Sequence, residues 1–204
     1  GQGRGGEIDG GLEPGGGAGA AGAIADRLDS IVGGFGTGLG PTGSEDPYAL
    51  RRAALGVVQT MLQRGRPLPL DEAIACAQAG YPSAEGGDPE ATRRAVLEFL
   101  RGRTQAVLAE RGLAGDVVDA VLSAGSNDIA DVARRAEALA VLRGEADFGE
   151  LATAFRRVVG IIPRGFARPV ETSRLVEGAE RALYAQAVEL KAEVERLVAA
   201  RALW

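Results

Sequence analysis

Apolar residues in this chain return every three or four positions, and nowhere does apolar alternate with polar for more than a few residues. An α-helix needs that period, because 3.6 residues per turn bring a side chain back to the same face, whereas a half-buried strand needs a period of two. The chain therefore reads as all-α, a set of helical bundles with no sheet. Composition sharpens this, since 46% of the residues are hydrophobic but only 4% are aromatic. The core must then be built from Leu, Val, Ile and Ala, and Ala and Leu lose little on entering a helix. At 204 residues the chain has room for one or two domains.

Glycine and proline divide the pattern. Residues 1–22 are mostly Gly and Ala and read as a loop at the chain's edge. From Ala23 a helix carries Ile24, Leu28, Ile31, Val32 and Phe35, with Gly33, Gly34 and Gly36 expected to end it. Gly43 turns the chain, Asp46 is placed to accept from the open amides of the next helix, and Pro47 takes its first position. That helix buries Leu50, Ala54, Val58 and Met61 and stops at Gly65; a third runs from Leu70 to Ala79. The stretch YPSAEGGDPE at 81–90 reads as a linker between two helical domains, 23–80 and 91–204.

Asp88 and Pro89 open a helix that ends at Gly112, followed by helices from Asp116 to Ala124 and from Ser126 to Arg143. Asp147 caps the next, whose stripe is Phe148, Leu151, Phe155, Val158 and Ile162. In the last helix Val176, Ala179, Leu183, Ala187, Leu190, Val194 and Leu197 form a seam at 3-4 spacing that needs a partner.

Absences exclude most chemistry. Without histidine, and with Cys76 as the lone cysteine, the chain holds no Ser-His-Asp triad, no Cys-His pair, no HExxH zinc site and no internal disulfide. Cys76 reads as a small buried residue on a helix. The run GGFGTGLG lacks the Lys-Ser/Thr of a phosphate loop and is not preceded by a strand. No apolar run approaches the length of a membrane span and no charged leader opens the chain, so a soluble cytoplasmic protein is expected.

Charge is the remaining signal. The net charge is -5, yet residues 91–168 hold 12 Arg against 10 acids. Arginine presents a planar fork suited to phosphate. Arg134 on the helix from Ser126, and Arg156 with Arg157 on the next, lie away from the apolar stripes, and adjacent helices would join them into one basic surface. Phe166, near Pro163, is expected in the core, with stacking on an unpaired base as the alternative.

The motifs are more specific. ADRLDSIVGGFGTGLGPTGSEDPYALRRAALGV closely resembles a segment of bacterial glycyl-tRNA synthetase β subunits, and FLRGRTQAVLAERGLAGDVVDAVLSAGSNDIADVARRAEALAVL followed by FRRVVGII resembles the same subunit's DALR-type anticodon-binding region. The resemblance runs from about Leu12 to Trp204. It implies a C-terminal piece of the β subunit of a glycine-tRNA ligase with two α and two β chains: the end of an HD-type helical domain, then an anticodon-binding domain. It implies tRNA(Gly) and the α subunit as partners, with neither DNA nor membrane. ATP and Mg belong to the complete enzyme, whose α subunit carries the active site, so this piece is expected to hold no catalytic residue, metal or cofactor. Arg134, Arg135, Arg156, Arg157 and Arg164 are the expected phosphate contacts, with Arg101, Arg103 and Arg111 behind them.

Asp26 matches the last aspartate of HD metal sites and is expected to be a structural relic. Three departures stand out: Gly160 replaces an Asn, Ser44-Glu45-Asp46 replaces Ser-Lys-Asp, and the family's final FFDxVMV helices are missing, which would leave the seam from Val176 to Leu197 unpaired. An alternative reading is a helical scaffold that docks a partner subunit and touches no RNA.

Overall fold

The computed structural model describes residues 17–41, 46, 48–81, 88–163, 165–166 and 168–201. These form eight α-helices and no strand: α1 Gly17–Gly36, α2 Leu50–Arg64, α3 Leu70–Gln78, α4 Pro89–Glu110, α5 Gly115–Ala124, α6 Ile129–Arg143, α7 Phe148–Ile161 and α8 Gly178–Arg201, with a 3-10 turn at Thr172–Arg174. The all-α reading holds.

The start of α1 differs from expectation, while its end at Gly36 falls among the glycines expected to stop it. The helix begins at Gly17, inside the segment read as loop, because the alanines before Ile24 are strong helix formers and extend a helix already nucleated by its buried stripe. It then passes through Gly33 and Gly34, which act as notches. A Cβ on Gly33 would lie 2.5 Å from the Tyr81 hydroxyl, and one on Gly34 would lie 2.7 Å from a Leu50 methyl. Tyr81 seals its notch by donating to the Asp29 carbonyl at 3.0 Å.

The start of α2 follows the sequence reading at Asp46, whose carboxylate accepts from Leu50 N–H at 2.7 Å and Arg51 N–H at 3.0 Å. Gly43 and Pro47 lie outside the described residues. Gly65 closes α2 in the left-handed conformation, donating to Met61. Asp88 caps α4 by accepting from Glu90 N–H, with Pro89 in the first turn. The cap of α6 is Asp128, and the helix begins at Ile129 rather than at Ser126; the Asp128 carboxylate accepts from Ala130 and Asp131.

Leu28, Ile31 and Val32 of α1, Val57, Val58 and Met61 of α2, Leu70 and Ile74 of α3, and Val96, Leu100 and Val107 of α4 share one core. Leu108 then carries α4 into a second core with Val117, Val118, Val121 and Leu122 of α5 and Val132 and Ala136 of α6. Residues 81–90 therefore do not separate two cores. Their last two residues already belong to α4, and that helix offers one flank to each cluster. The chain instead divides into Gly1–Glu150 and Leu151–Trp204.

Among its described residues the second unit buries no apolar stripe. Leu151, Phe155, Val158 and Ile162, expected inward, are exposed, as are Val176, Leu183, Leu190, Val194 and Leu197. Phe166 is exposed as well. Cys76 is also exposed, contrary to expectation, because α3 buries only Leu70 and Ile74 and presents the cysteine to a groove. That groove, about 720 Å³, is lined by Ala21, Ile24 and Asp26 of α1, by Leu68, and by Ala73 and Cys76 of α3.

Candidate nucleic-acid interface

The arginines form one class by residue type, but their surroundings divide them. Arg134 and Arg135, consecutive on α6, face the ends of two other helices. Arg134 donates to the Gly65 carbonyl at 3.1 Å, just past α2. Arg135 donates to Val121 O at 3.3 Å and Gly125 O at 2.7 Å, at the end of α5. Helix C-termini expose carbonyls without intrahelical partners, and guanidinium groups satisfy them while opposing the negative end of the helix dipole. Asp131 lies between the two, 2.6 Å from Arg135 and 3.8 Å from Arg134. Much of the donor capacity of this pair is spent within the fold.

A neighbouring clasp involves no arginine. Asn127, ahead of α6, accepts from Leu70 N–H through its backbone carbonyl at 2.8 Å and from Asp71 N–H through Oδ1 at 2.9 Å. Its amide donates to Asp71 Oδ1 at 2.7 Å. That amide, followed by the Glu72 N–H, holds the Asp71 carboxyl below its usual range. Sequence reasoning missed Asn127; the available signal is SND ahead of an apolar stripe, in a segment where the helix is expected to begin at Ser126. At the other end of α6, Arg143 pairs with Asp116 at the start of α5, and its hydrogen bond holds that carboxyl down too.

On α4, Arg101 and Arg103 are half-buried. Arg101 lies 3.6 Å from Glu98, and Arg103 stacks over Phe99 with its guanidinium carbon 5.7 Å from the ring centroid. The Nε of each is buried without a hydrogen-bond partner among the described residues. Phe99 in turn meets Phe35 of α1 at 5.1 Å. Arg111 is exposed just beyond the end of α4.

In the second unit, α7 is sharply two-sided. At 100° per residue Arg156, Arg157, Thr153 and Gly160 share the face opposite Leu151, Phe155, Val158 and Ile162. Arg156 Nε donates to the Ala152 carbonyl at 3.3 Å, and neither Arg156 nor Arg157 has an ion-pair partner among the described residues. Gly160 has open space where a side chain would stand. Arg164 lies outside the described residues. Arg134 and Arg135 belong to the first unit, Arg156 and Arg157 to the second.

A family model described as the glycyl-tRNA synthetase beta subunit matches residues 8–123, more than half of the chain. The chain belongs to the glycyl-tRNA synthetase β-subunit family. It is 47% identical over 174 residues to the glycine-tRNA ligase β subunit of Geobacter sulfurreducens, covering 85% of this chain and 25% of that protein. The β subunit of Anaeromyxobacter dehalogenans strain 2CP-C is 43% identical over 189 residues, 90% of this chain and 26% of its own length. That of Desulforamulus reducens is 40% identical over 185 residues, 89% and 26% respectively. The chain thus spans about a quarter of the length of these β-subunit relatives. Helices α1 to α4 fall wholly within the part matched by the β-subunit model, whereas the arginines of α6 and α7 lie beyond it.

Proposed function

We propose that this chain is part of the β subunit of a glycine-tRNA ligase and helps hold the anticodon arm of tRNA(Gly) while the α subunit carries out ATP-dependent aminoacylation. The observation that carries the reading is the polar face of α7: two adjacent arginines without ion-pair partners among the described residues, beside a glycine that leaves room for close approach. Two guanidinium groups on one exposed face suit the bidentate capture of successive phosphates. Arg111, and Arg103 on its Phe99 platform, extend the proposed contact set, with Arg101 beside them. Arg134 and Arg135 contribute by holding α6 to α2 and α5.

ATP and Mg belong in this reading to the α subunit of an assembly of two α and two β chains, in the cytoplasm. Among the described residues of this chain no three His, Cys, Asp or Glu side chains gather as metal ligands would. No helix among them is long and apolar enough to cross a membrane.

The test is binding of a tRNA(Gly) anticodon stem-loop by the unaltered chain and by Arg156→Glu/Arg157→Glu. Each phosphate contact releases roughly one counterion, so losing two should weaken binding at least about tenfold and flatten the dependence of log affinity on log salt by between one and two. Equal affinity with an equal slope removes α7 from the interface. Absence of binding by the unaltered chain would instead favour subunit docking without RNA contact, a reading for which the apolar groove between α1 and α3 speaks.

A further inference from the structure

The unit Leu151–Trp204 holds two helices that each carry an exposed apolar stripe. On α7 and the residue after it these are Leu151, Phe155, Val158 and Ile162, between 48% and 67% exposed. On α8 they are Leu183, Leu190 and Val194, between 50% and 70% exposed, with Ala187 exposed among them. So much uncovered aliphatic and aromatic surface on two helices is costly in water and marks a face awaiting a partner.

The spacing identifies that partner. Read backward, the α7 stripe steps by four, three and four residues, from Ile162 to Val158, Phe155 and Leu151. Read forward, the α8 stripe steps by four, three and four, from Leu183 to Ala187, Leu190 and Val194. Antiparallel helices interdigitate when one runs through its 3-4 pattern as the other runs back through it, each a position meeting a d position. With Ile162 and Phe155 as a positions and Leu183 and Leu190 as d positions, every layer satisfies that rule: Ile162 with Leu183, Val158 with Ala187, Phe155 with Leu190, Leu151 with Val194. The layer opposite Val158 is alanine, and Phe155 meets an unbranched-at-Cβ leucine, so bulk is distributed rather than stacked.

The connection permits the fold-back. Fifteen residues, 163–177, separate Ile162 from the start of α8, a contour of roughly 50 Å against the 8–10 Å between packed helix axes. Closure also leaves Arg156, Arg157 and Gly160 on the outer face.

We propose that α8 is a strap that closes antiparallel on α7 of the same chain, in the four-layer pairing above. This does not depend on RNA binding and stands or falls separately from it.

The experiment uses the full chain with Cys76→Ser, which removes the native thiol. Cysteine pairs are introduced at matched positions, Leu151→Cys with Val194→Cys, and at mismatched ones, Leu151→Cys with Leu183→Cys. In dilute protein the matched pair should oxidise to an intramolecular disulfide at least tenfold faster than the mismatched pair. Equal rates, or crosslinking only between chains as a second copy's α8 would give, overturn the proposal. A second measurement introduces no cysteine and breaks one matched layer: hydrogen exchange on the unaltered chain and on Phe155→Asp. Closure predicts that amides of α8 near Leu190 lose at least tenfold of their protection in the variant. Loss confined to α7 overturns it.

Discussion

Ala49 stands in the left-handed region, with φ 56° and ψ 29°, and is the one non-glycine residue with positive φ among the described residues. An L-residue with a Cβ is strained there by roughly 1 kcal/mol or more. The conformation folds the chain so that Asp46, four residues before Leu50, reaches the first amides of α2, a role that a neighbouring residue ordinarily fills. Replacing Ala49 with glycine relieves the strain and keeps the cap, at the cost of a more flexible unfolded chain. The expected outcome is a stabilisation of roughly 0.5 kcal/mol, read as a higher urea midpoint with an unchanged slope. Asp46 was legible in the sequence because a capping carboxylate before a helix is a local signal. The backbone twist at Ala49 was not, since nothing distinguishes that alanine from its neighbours.

At the scale of elements, arginine type alone could not separate structural from exposed members. Arg135 and Arg157 look alike in sequence, each the second of an arginine pair on a helix with an apolar stripe. What separates them is the end of α5, brought within 2.7 Å of Arg135 by the packing of α5 on α6. Such a contact spans ten residues and depends on where a loop turns. Arg135→Met should therefore destabilise the chain by about 1–2 kcal/mol through unsatisfied carbonyls. Denaturant unfolding measures that loss, and stem-loop affinity of the folded variant should stay within about twofold. The glycines of α1 teach the same lesson from the other side. Gly33 and Gly34 carry the composition of a helix stop, yet the helix continues because Tyr81 and Leu50 occupy the space of the missing side chains. Periodicity located all eight helices to within a few residues, apart from the early start of α1. It grouped the α7 stripe on one face but could not say that this face stays exposed.

At the scale of the whole molecule, two carboxylates join segments distant in sequence. Asp71 ties the start of α3 to Asn127, and Asp116 ties α5 to the end of α6; both are held below the usual value of 3.8 by those partners. A carboxyl with a lowered folded-state pKa contributes stability that is complete above its unfolded value and disappears as pH falls through the folded one. Stability should thus be flat near neutrality and drop as pH falls below about 4, where the unfolded chain takes up protons first. Urea midpoints between pH 6 and pH 3 measure the drop, and Asn127→Ala should make it shallower. A midpoint independent of pH in that range would show that these ties contribute nothing.

Helix α4 gives one flank to the core of α1, α2 and α3 and the other to the core of α5 and α6. Cleavage of the backbone within 82–87 would consequently produce two pieces with complementary scars: one lacking a wall, the other exposing the side chains that had been that wall. Neither piece would be self-sufficient, and their mutual recognition would be written into the same aliphatic surface that the intact polypeptide hides.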